Sequence, residues 1–189
     1  AVIDDGKVVH VAAYGQRNAK GDPLRTDTVM YGASLTKAVF AYTVMQLVEE
    51  GKLDLDRPIG EYFDKPLPDY PAVDGYGPWP DLASDPRWKA ITTRMLLTHS
   101  SGFANFAYLE PDGKLRIHFD PGTRYAYSGE GLILLQYVLE RGLGLDLGAE
   151  MQRRVFDRFG MPNTDMKWRA DFAANLADGW MEDGTVEPH

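Results

Sequence analysis

The sequence has no cysteine and few histidines, and these absences exclude several kinds of site. Without cysteine, the 189-residue chain forms no disulfides, no thiolate nucleophile and no cysteine-based zinc or iron centre. Its four histidines do not form the His-Glu-x-x-His pattern of zinc hydrolases, so a zinc ion would need scattered ligands. We therefore expect no metal site.

Basic residues are in the minority, and long apolar runs are missing. The chain has twenty Lys and Arg residues and twenty-eight Asp and Glu residues, so its net charge is -8 and its electrostatic field repels phosphate backbones. No apolar run approaches the roughly 20 residues that a membrane span needs. We expect neither a nucleic-acid partner nor a membrane span.

The composition is that of a globular protein, with 44% hydrophobic and 25% charged residues, and the length allows one domain. Asp5-Gly6 between apolar runs predicts a hairpin, and the residues from Thr28 to Tyr31 suit a short strand. Only three residues, Ala1-Val2-Ile3, precede the turn segment Asp4-Asp5-Gly6, where a strand usually has about five or six, so we expect a further stretch upstream. A helix is predicted from Ala33 to Glu50, ended by Gly51.

The segment 53–90 holds most of the prolines and several aromatic residues, which indicates an ordered loop region. These aromatic side chains either line an acyl pocket or anchor the loops; they are Tyr70, Tyr76, Trp79 and Trp88. Beyond the loops, Thr92 or Thr93 can cap a short helix and Ser128 can cap a buried one. A last helix is predicted over 147–159.

The sharpest candidate for chemistry is Ser34-Leu35-Thr36-Lys37 at the start of the long helix. A spacing of three places both side chains on one helix face, so a neutral lysine amine can take the proton of the serine hydroxyl. A helix N-terminus also disfavours a cation and stabilises a developing oxyanion.

The same serine could be only a helix cap. With five Ser and eight Lys in the chain, roughly 0.2 chance Ser-x-x-Lys matches are expected, so the motif alone is weak. However, a capping box has Glu or Gln at the third helical position, where this chain has Lys37, whose charge has the wrong sign for the helix dipole. Both interpretations of Ser34 stay open at this point.

Tyr127 is the second candidate, because it lies in Tyr125-Ala126-Tyr127-Ser128-Gly129 directly before the predicted buried helix. A phenol fixed at such a junction can act as a general base or proton shuttle if a lysine cation lies nearby. Taken alone, the same tyrosine could simply pack in the core.

Four segments follow one another in the chain: Ser34-Leu35-Thr36-Lys37, Leu96-Leu97-Thr98-His99-Ser100-Ser101-Gly102, Pro121-Gly122-Thr123-Arg124-Tyr125-Ala126-Tyr127-Ser128 and Phe156-Asp157-Arg158-Phe159-Gly160-Met161-Pro162. In order and spacing, they resemble the serine β-lactamase and penicillin-binding superfamily. The chain is most similar to the branch with class C β-lactamases, D-alanyl-D-alanine carboxypeptidases, D-aminopeptidases and family VIII esterases.

The resemblance implies an α/β (α+β) fold in which an antiparallel sheet carries a helical subdomain. The chain 1–189 would then be the N-terminal portion of one such domain. Within it, 1–31 would give a hairpin and a strand of the sheet, 33–50 the nucleophile helix, and 53–178 a mostly helical region.

The resemblance also assigns roles to residues. Ser34 becomes the nucleophile, Lys37 its activating partner and Tyr127 the proton-transfer residue, while His99 becomes a structural support near the site. No metal or organic cofactor is implied, since the reaction proceeds through a serine ester.

Two departures from the family pattern affect the predicted substrate. Gly129 stands at a substrate-binding position where the family has Asn, so the carboxamide that contacts a substrate amide is missing. Nothing after Tyr127 reads Lys-Thr-Gly or His-x-Gly, and family members are about twice as long. The missing part would include the sheet edge that donates one oxyanion-hole N–H, so we expect a C-terminal segment or a second chain to complete the sheet.

The sequence therefore predicts a serine hydrolase, most like a carboxylesterase, because an ester can dispense with the carboxamide contact. The alternatives are a β-lactamase, or a peptidase acting on D-amino peptides. An alternative of another class is a non-catalytic module that binds penicillin, peptidoglycan or a protein partner. Many relatives act outside the cytoplasm, which suggests a periplasmic or secreted location.

Overall fold

The computed structural model describes residues 1–73 and 76–187, and these form two compact units. The first unit joins Ala1–Leu35 to the C-terminal segment that begins at Gln152, and the second unit is Thr36–Met151. The sequence predictions over 1–189 and 53–178 include residues 74–75 and 188–189, which lie outside the described residues.

The first unit contains two short antiparallel hairpins. Strands β1 (Val2–Asp4) and β2 (Lys7–His10) pair around Asp5-Gly6, and both turn residues have positive φ, 46° and 69°. Such angles are those of a type I′ turn, whose twist matches that of the strands. The predicted hairpin is therefore present, although β2 ends at His10. Near the C-terminus, β3 (Gly179–Trp180) pairs with β4 (Val186–Glu187).

The strand predicted from Thr28 to Tyr31 is wrong: the structure has a single parallel bridge, between Val29 and Leu176. The chain turns just before this bridge, where the Arg25 N–H donates to Thr28 Oγ1 at 2.9 Å. Within the described residues, Val29 exchanges backbone hydrogen bonds only with residues 175 and 177, so no partner strand extends the pairing.

The second unit begins with α1 (Thr36–Glu49), preceded by a 3-10 turn over Ala33–Leu35. Phe40, Val44 and Leu47 are buried, as the helical spacing predicts. After the helix, Gly51 has φ 69° and the Lys52 N–H donates to the Leu47 carbonyl at 2.9 Å, so the C-terminal carbonyls are satisfied.

The segment after α1 folds mostly into short 3-10 helices, over Ile59–Tyr62, Leu67–Asp69, Trp79–Ser84 and Pro86–Ala90. Its aromatic side chains gather around one ring of the next long helix. The Tyr137 ring centroid lies 4.9–5.7 Å from those of Phe63, Tyr70, Tyr76 and Trp79. These loop aromatics therefore anchor the loops.

Three short α-helices follow. Thr92 caps α2 (Thr93–Leu97), and the Ser128 hydroxyl caps α3 (Gly129–Tyr137) by accepting from the Gly131 N–H at 2.9 Å. Helix α3 packs against α2, and seven of its nine residues are buried, as its apolar sequence predicts. It continues into a π-helical turn over Val138–Gly142.

Helix α4 spans Leu147–Met151 and packs against α1. The helix predicted over 147–159 is α-helical only in this part, because a π-helical turn over Gln152–Phe156 follows. Within the described residues, no helix has the length and apolarity that crossing a bilayer requires.

One buried ionisable residue makes the stability of this fold sensitive to pH. Glu130 is 4% exposed, accepts a hydrogen bond from the Ala107 N–H at 3.0 Å, and forms no ion pair within the described residues 1–73 and 76–187. Burial raises its pKa above the usual value. The Glu130 carboxyl therefore binds its proton more tightly in the folded chain than in the unfolded chain. As a result, the free energy of unfolding decreases as pH rises through the raised pKa.

We expect Glu130→Gln to stabilise the protein at pH 7–8 and to change little near pH 4. An ionised carboxylate left buried costs at least about 1 kcal/mol, which corresponds to roughly 2–4 °C in Tm for a chain of this size. The measurement is thermal unfolding from pH 4 to pH 8, with Glu49→Gln at an exposed position as the control. A Tm difference that does not grow with pH would contradict the prediction.

Candidate functional site

Ser34 lies in the first unit, in the 3-10 turn over Ala33–Leu35 that ends where α1 begins. The turn is closed by the Leu35 N–H, which donates to the Gly32 carbonyl at 2.9 Å. Ala33 has φ 42°, a left-handed conformation that costs a residue with a Cβ about 1–2 kcal/mol. Strained backbone of this kind clusters at functional sites. Ser34, the next residue, is exposed at the surface.

Lys37 and Tyr127 come together in the second unit although ninety residues separate them in the chain. Lys37 is the second residue of α1, and its Nζ lies 5.1 Å from the centroid of the Tyr127 ring. An ammonium at this distance is attracted to the face of the ring. The side chain of Tyr127 remains 40% exposed, so the pair is accessible from solvent.

The His99 side chain packs against Tyr127. Its ring centroid lies 4.6 Å from that of Tyr127 and 5.9 Å from that of Tyr125. Its carbonyl accepts from the Ala126 N–H at 2.8 Å, and its ring Nδ1 accepts from the Ser128 N–H at 3.2 Å. The backbone of His99 is left-handed, with φ 53°. The residue thus fixes the segment that carries Tyr127, as the resemblance implies.

Burial lowers the pKa of His99, and the nearby charge of Lys37 lowers it further. The ring is therefore neutral at pH 7, and because Nδ1 accepts a hydrogen bond, the proton lies on Nε2. Protonation would remove the acceptor of the Ser128 N–H and would add a second cation beside Tyr127.

We expect His99→Asn to make the stability less sensitive to acid. Because the folded-state pKa of His99 is lowered, the neutral ring contributes to the free energy of unfolding above the usual pKa of about 6.5. This contribution is lost as pH falls through the lowered pKa. The lost hydrogen bond is worth about 1 kcal/mol. Asn keeps an acceptor oxygen and tolerates a positive φ, but it does not titrate.

Thermal unfolding between pH 8 and pH 5 measures this effect. The Tm of the wild-type protein should fall more steeply below about pH 6.5 than that of His99→Asn, by roughly 2–4 °C. His10→Asn, at an exposed histidine on β2, is the matched control. Parallel curves for the wild-type protein and His99→Asn would contradict the assignment.

The start of α3 is held by the chain segment 104–107. The Ser128 hydroxyl donates to the Ala104 carbonyl at 2.8 Å. Gly129 donates its N–H to Asn105 Oδ1 at 2.9 Å, and the Glu130 N–H donates to the Asn105 carbonyl at 2.8 Å. Gly129 is buried, and its N–H is engaged within the protein.

The structure therefore brings Lys37, Tyr127 and His99 together and places Gly129 two residues beyond Tyr127. Ser34 stands three residues before Lys37 in the chain. Asn105 could not be identified from the sequence, because no motif marks a side chain that accepts a hydrogen bond from a backbone N–H 24 residues away. Within the part of the chain that the structure describes, no group of three or more His, Asp or Glu residues could hold a metal ion.

Two of the curated proteins that this chain resembles are named esterases. Lovastatin esterase from Penicillium rubens is 32% identical over 202 residues, which cover 92% of this chain and 49% of the relative. Esterase EstB from Burkholderia gladioli is 30% identical over 187 residues, covering 85% of this chain and 44% of the relative. The chain thus spans about half the length of these curated relatives.

Among solved structures, the D-alanine carboxypeptidase AmpC from Burkholderia cenocepacia matches with a TM-score of 0.74 and 26% identity. The match covers 98% of this chain and 49% of that one. The predicted fold class is therefore confirmed, and the chain corresponds to part of the fold. The model of the family described as Beta-lactamase matches residues 1–188. Since that match covers nearly the whole sequence, the chain belongs to the Beta-lactamase family.

Proposed function

We propose that the protein hydrolyses carboxylic esters through a covalent acyl-enzyme on Ser34. The observation that carries this proposal is that Lys37 Nζ lies 5.1 Å from the centroid of the Tyr127 ring, at the start of the helix that begins two residues after Ser34. A neutral lysine amine beside a phenol can accept and pass on the proton that Ser34 loses as it becomes a nucleophile.

The reaction has two steps. In the first, Ser34 Oγ bonds to the ester carbonyl carbon while its proton passes to the neutral Lys37 amine of the Lys37–Tyr127 pair; the C–O bond to the alcohol then breaks, and the alcohol leaves with that proton. In the second, water attacks the acyl-enzyme, gives a proton to the same pair and releases the carboxylic acid, and Ser34 regains its proton. The positive end of α1 favours the oxyanion that develops in both steps.

An ester is the proposed substrate because no carboxamide stands at position 129. Two relatives of this chain are named esterases. Hydrolysis of a β-lactam or a D-amino peptide is the alternative within the class, and the carboxypeptidase name of one structural neighbour favours it. Parallel assays with a p-nitrophenyl ester and a chromogenic cephalosporin distinguish the two.

We also keep the prediction that further strands, from a C-terminal segment or a second chain, complete the sheet. All residues of β1 and β2 are exposed, including Val2, Ile3, Val8 and Val9. A two-stranded hairpin is marginally stable alone, and exposed apolar strands are typical of a surface that another element covers.

The test is reaction with a serine-selective fluorophosphonate, followed by intact mass measurement and peptide mapping. A single adduct on Ser34 supports the proposal. The absence of an adduct on protein shown to be folded by circular dichroism would overturn it and would favour the non-catalytic binding module. An adduct on a different serine would overturn the assignment of the nucleophile.

A further inference from the structure

The ring of Phe106 occupies the space where a side chain at position 129 would lie. A Cβ added to Gly129 would come within 2.5 Å of Cε1 and 2.7 Å of Cζ of that ring, and within 3.0 Å of the Asn105 carbonyl oxygen. Real Cβ atoms do not approach so closely, so residue 129 and Phe106 exclude each other. The Phe106 ring can therefore occupy this space because residue 129 is a glycine and has no Cβ.

Phe106 lies on the same side of the chain as Tyr127. Ser128 is extended, with φ -140° and ψ 115°, and its side chain points inward to the Ala104 carbonyl. Successive side chains of an extended segment point to opposite sides, so positions 127 and 129 project together, away from that of Ser128. The Phe106 ring, which fills the space of a side chain at position 129, therefore lies on the side of the chain to which Tyr127 projects.

A second ring extends this aromatic surface toward solvent. Tyr108 stacks on Phe106 with centroids 5.2 Å apart and planes inclined by 11°, and it is 72% exposed. The segment cannot easily move away, because the Ala107 N–H is bonded to Glu130 and Asn105 is bonded to the start of α3. An exposed, rigidly held aromatic pair is suited to contact an apolar group of a ligand.

We propose that Phe106 and Tyr108 determine substrate specificity, by contacting the acyl chain of the ester substrate. The substrate class is esters of apolar acids with several carbons or an aryl group, since the stacked faces of the two rings offer mainly aromatic carbon for contact. This inference rests on the proposed function. Burial of each methylene against the rings should raise the acylation rate by about fourfold.

The test compares acylation rates for p-nitrophenyl acetate, butyrate and hexanoate. In the wild-type protein, we expect the hexanoate-to-acetate ratio to exceed tenfold. Phe106→Ala should bring that ratio close to one, and Phe106→Leu should restore part of it. Phe119→Ala, at another half-buried phenylalanine of the second unit, is the control and should keep the wild-type ratio. An unchanged ratio in Phe106→Ala would overturn the inference.

A binding measurement separates this inference from the proposed function. Ser34→Ala cannot be acylated, so binding of methyl hexanoate to it, followed by saturation-transfer NMR, reports the surface alone. Binding that is lost on adding Phe106→Ala supports the inference even if the wild-type protein forms no acyl-enzyme. Equal binding with and without Phe106 would overturn it even if Ser34 is the nucleophile. Tyr108→Ser, at an exposed position, gives the same comparison without disturbing the core.

Discussion

Ser34→Ala is expected to abolish the covalent adduct and to lower ester hydrolysis by at least about 10³-fold, since loss of a serine nucleophile removes the acyl-enzyme route. The remaining groups could bind the ester, but the serine oxygen that forms the acyl-enzyme would be gone. The measurement is initial-rate hydrolysis of a p-nitrophenyl ester, with the intact mass recorded after reaction with the fluorophosphonate.

Ser84→Ala is the matched control for this experiment, because Ser84 is also exposed and also lies in a 3-10 helix, over Trp79–Ser84. It should react and hydrolyse like the wild-type protein. If Ser34→Ala kept the adduct, or if both variants lost it equally, the hydrolase proposal would lose its nucleophile.

Features with a local cause could be predicted from the sequence. Asp5-Gly6 determines its hairpin because both residues tolerate positive φ, and Gly51 ends α1 for the same reason. Ser128 was predicted as a cap from its position before an apolar helix, and the structure shows that hydrogen bond. In each case, the residues that determine the conformation lie within one turn of it.

Features that depend on distant parts of the chain could not be predicted from the sequence. No strand forms at 28–31, because strand propensity does not reveal whether a partner strand is present. Within the described residues, Val29 forms a β-bridge only with Leu176. The contact between Phe106 and Gly129 joins positions 23 residues apart and follows no periodic pattern. The approach of Lys37 to Tyr127 was expected from family resemblance, not from any spacing within the chain.

Lys37→Met and Tyr127→Phe are each expected to slow the acylation of Ser34 by about 10²–10⁴-fold, the range for loss of a positioned proton-transfer group. Methionine preserves much of the lysine's apolar length without the amine, and phenylalanine preserves the ring without the hydroxyl. Both variants should therefore fold, and a stopped-flow rate of p-nitrophenol release measures the effect on chemistry.

The double variant tests whether the two side chains act as a unit. Groups that share one proton transfer have non-additive effects, so Lys37→Met combined with Tyr127→Phe should be little slower than the slower single variant. If the fold-losses in acylation rate of the two single variants multiplied in the double variant, each side chain would act independently. Lys65→Met is the control, because Lys65 also lies over a tyrosine ring, 4.5 Å from that of Tyr70. If Lys65→Met slowed acylation equally, loss of a surface charge would explain the result, and the proton-transfer role of Lys37 would be wrong.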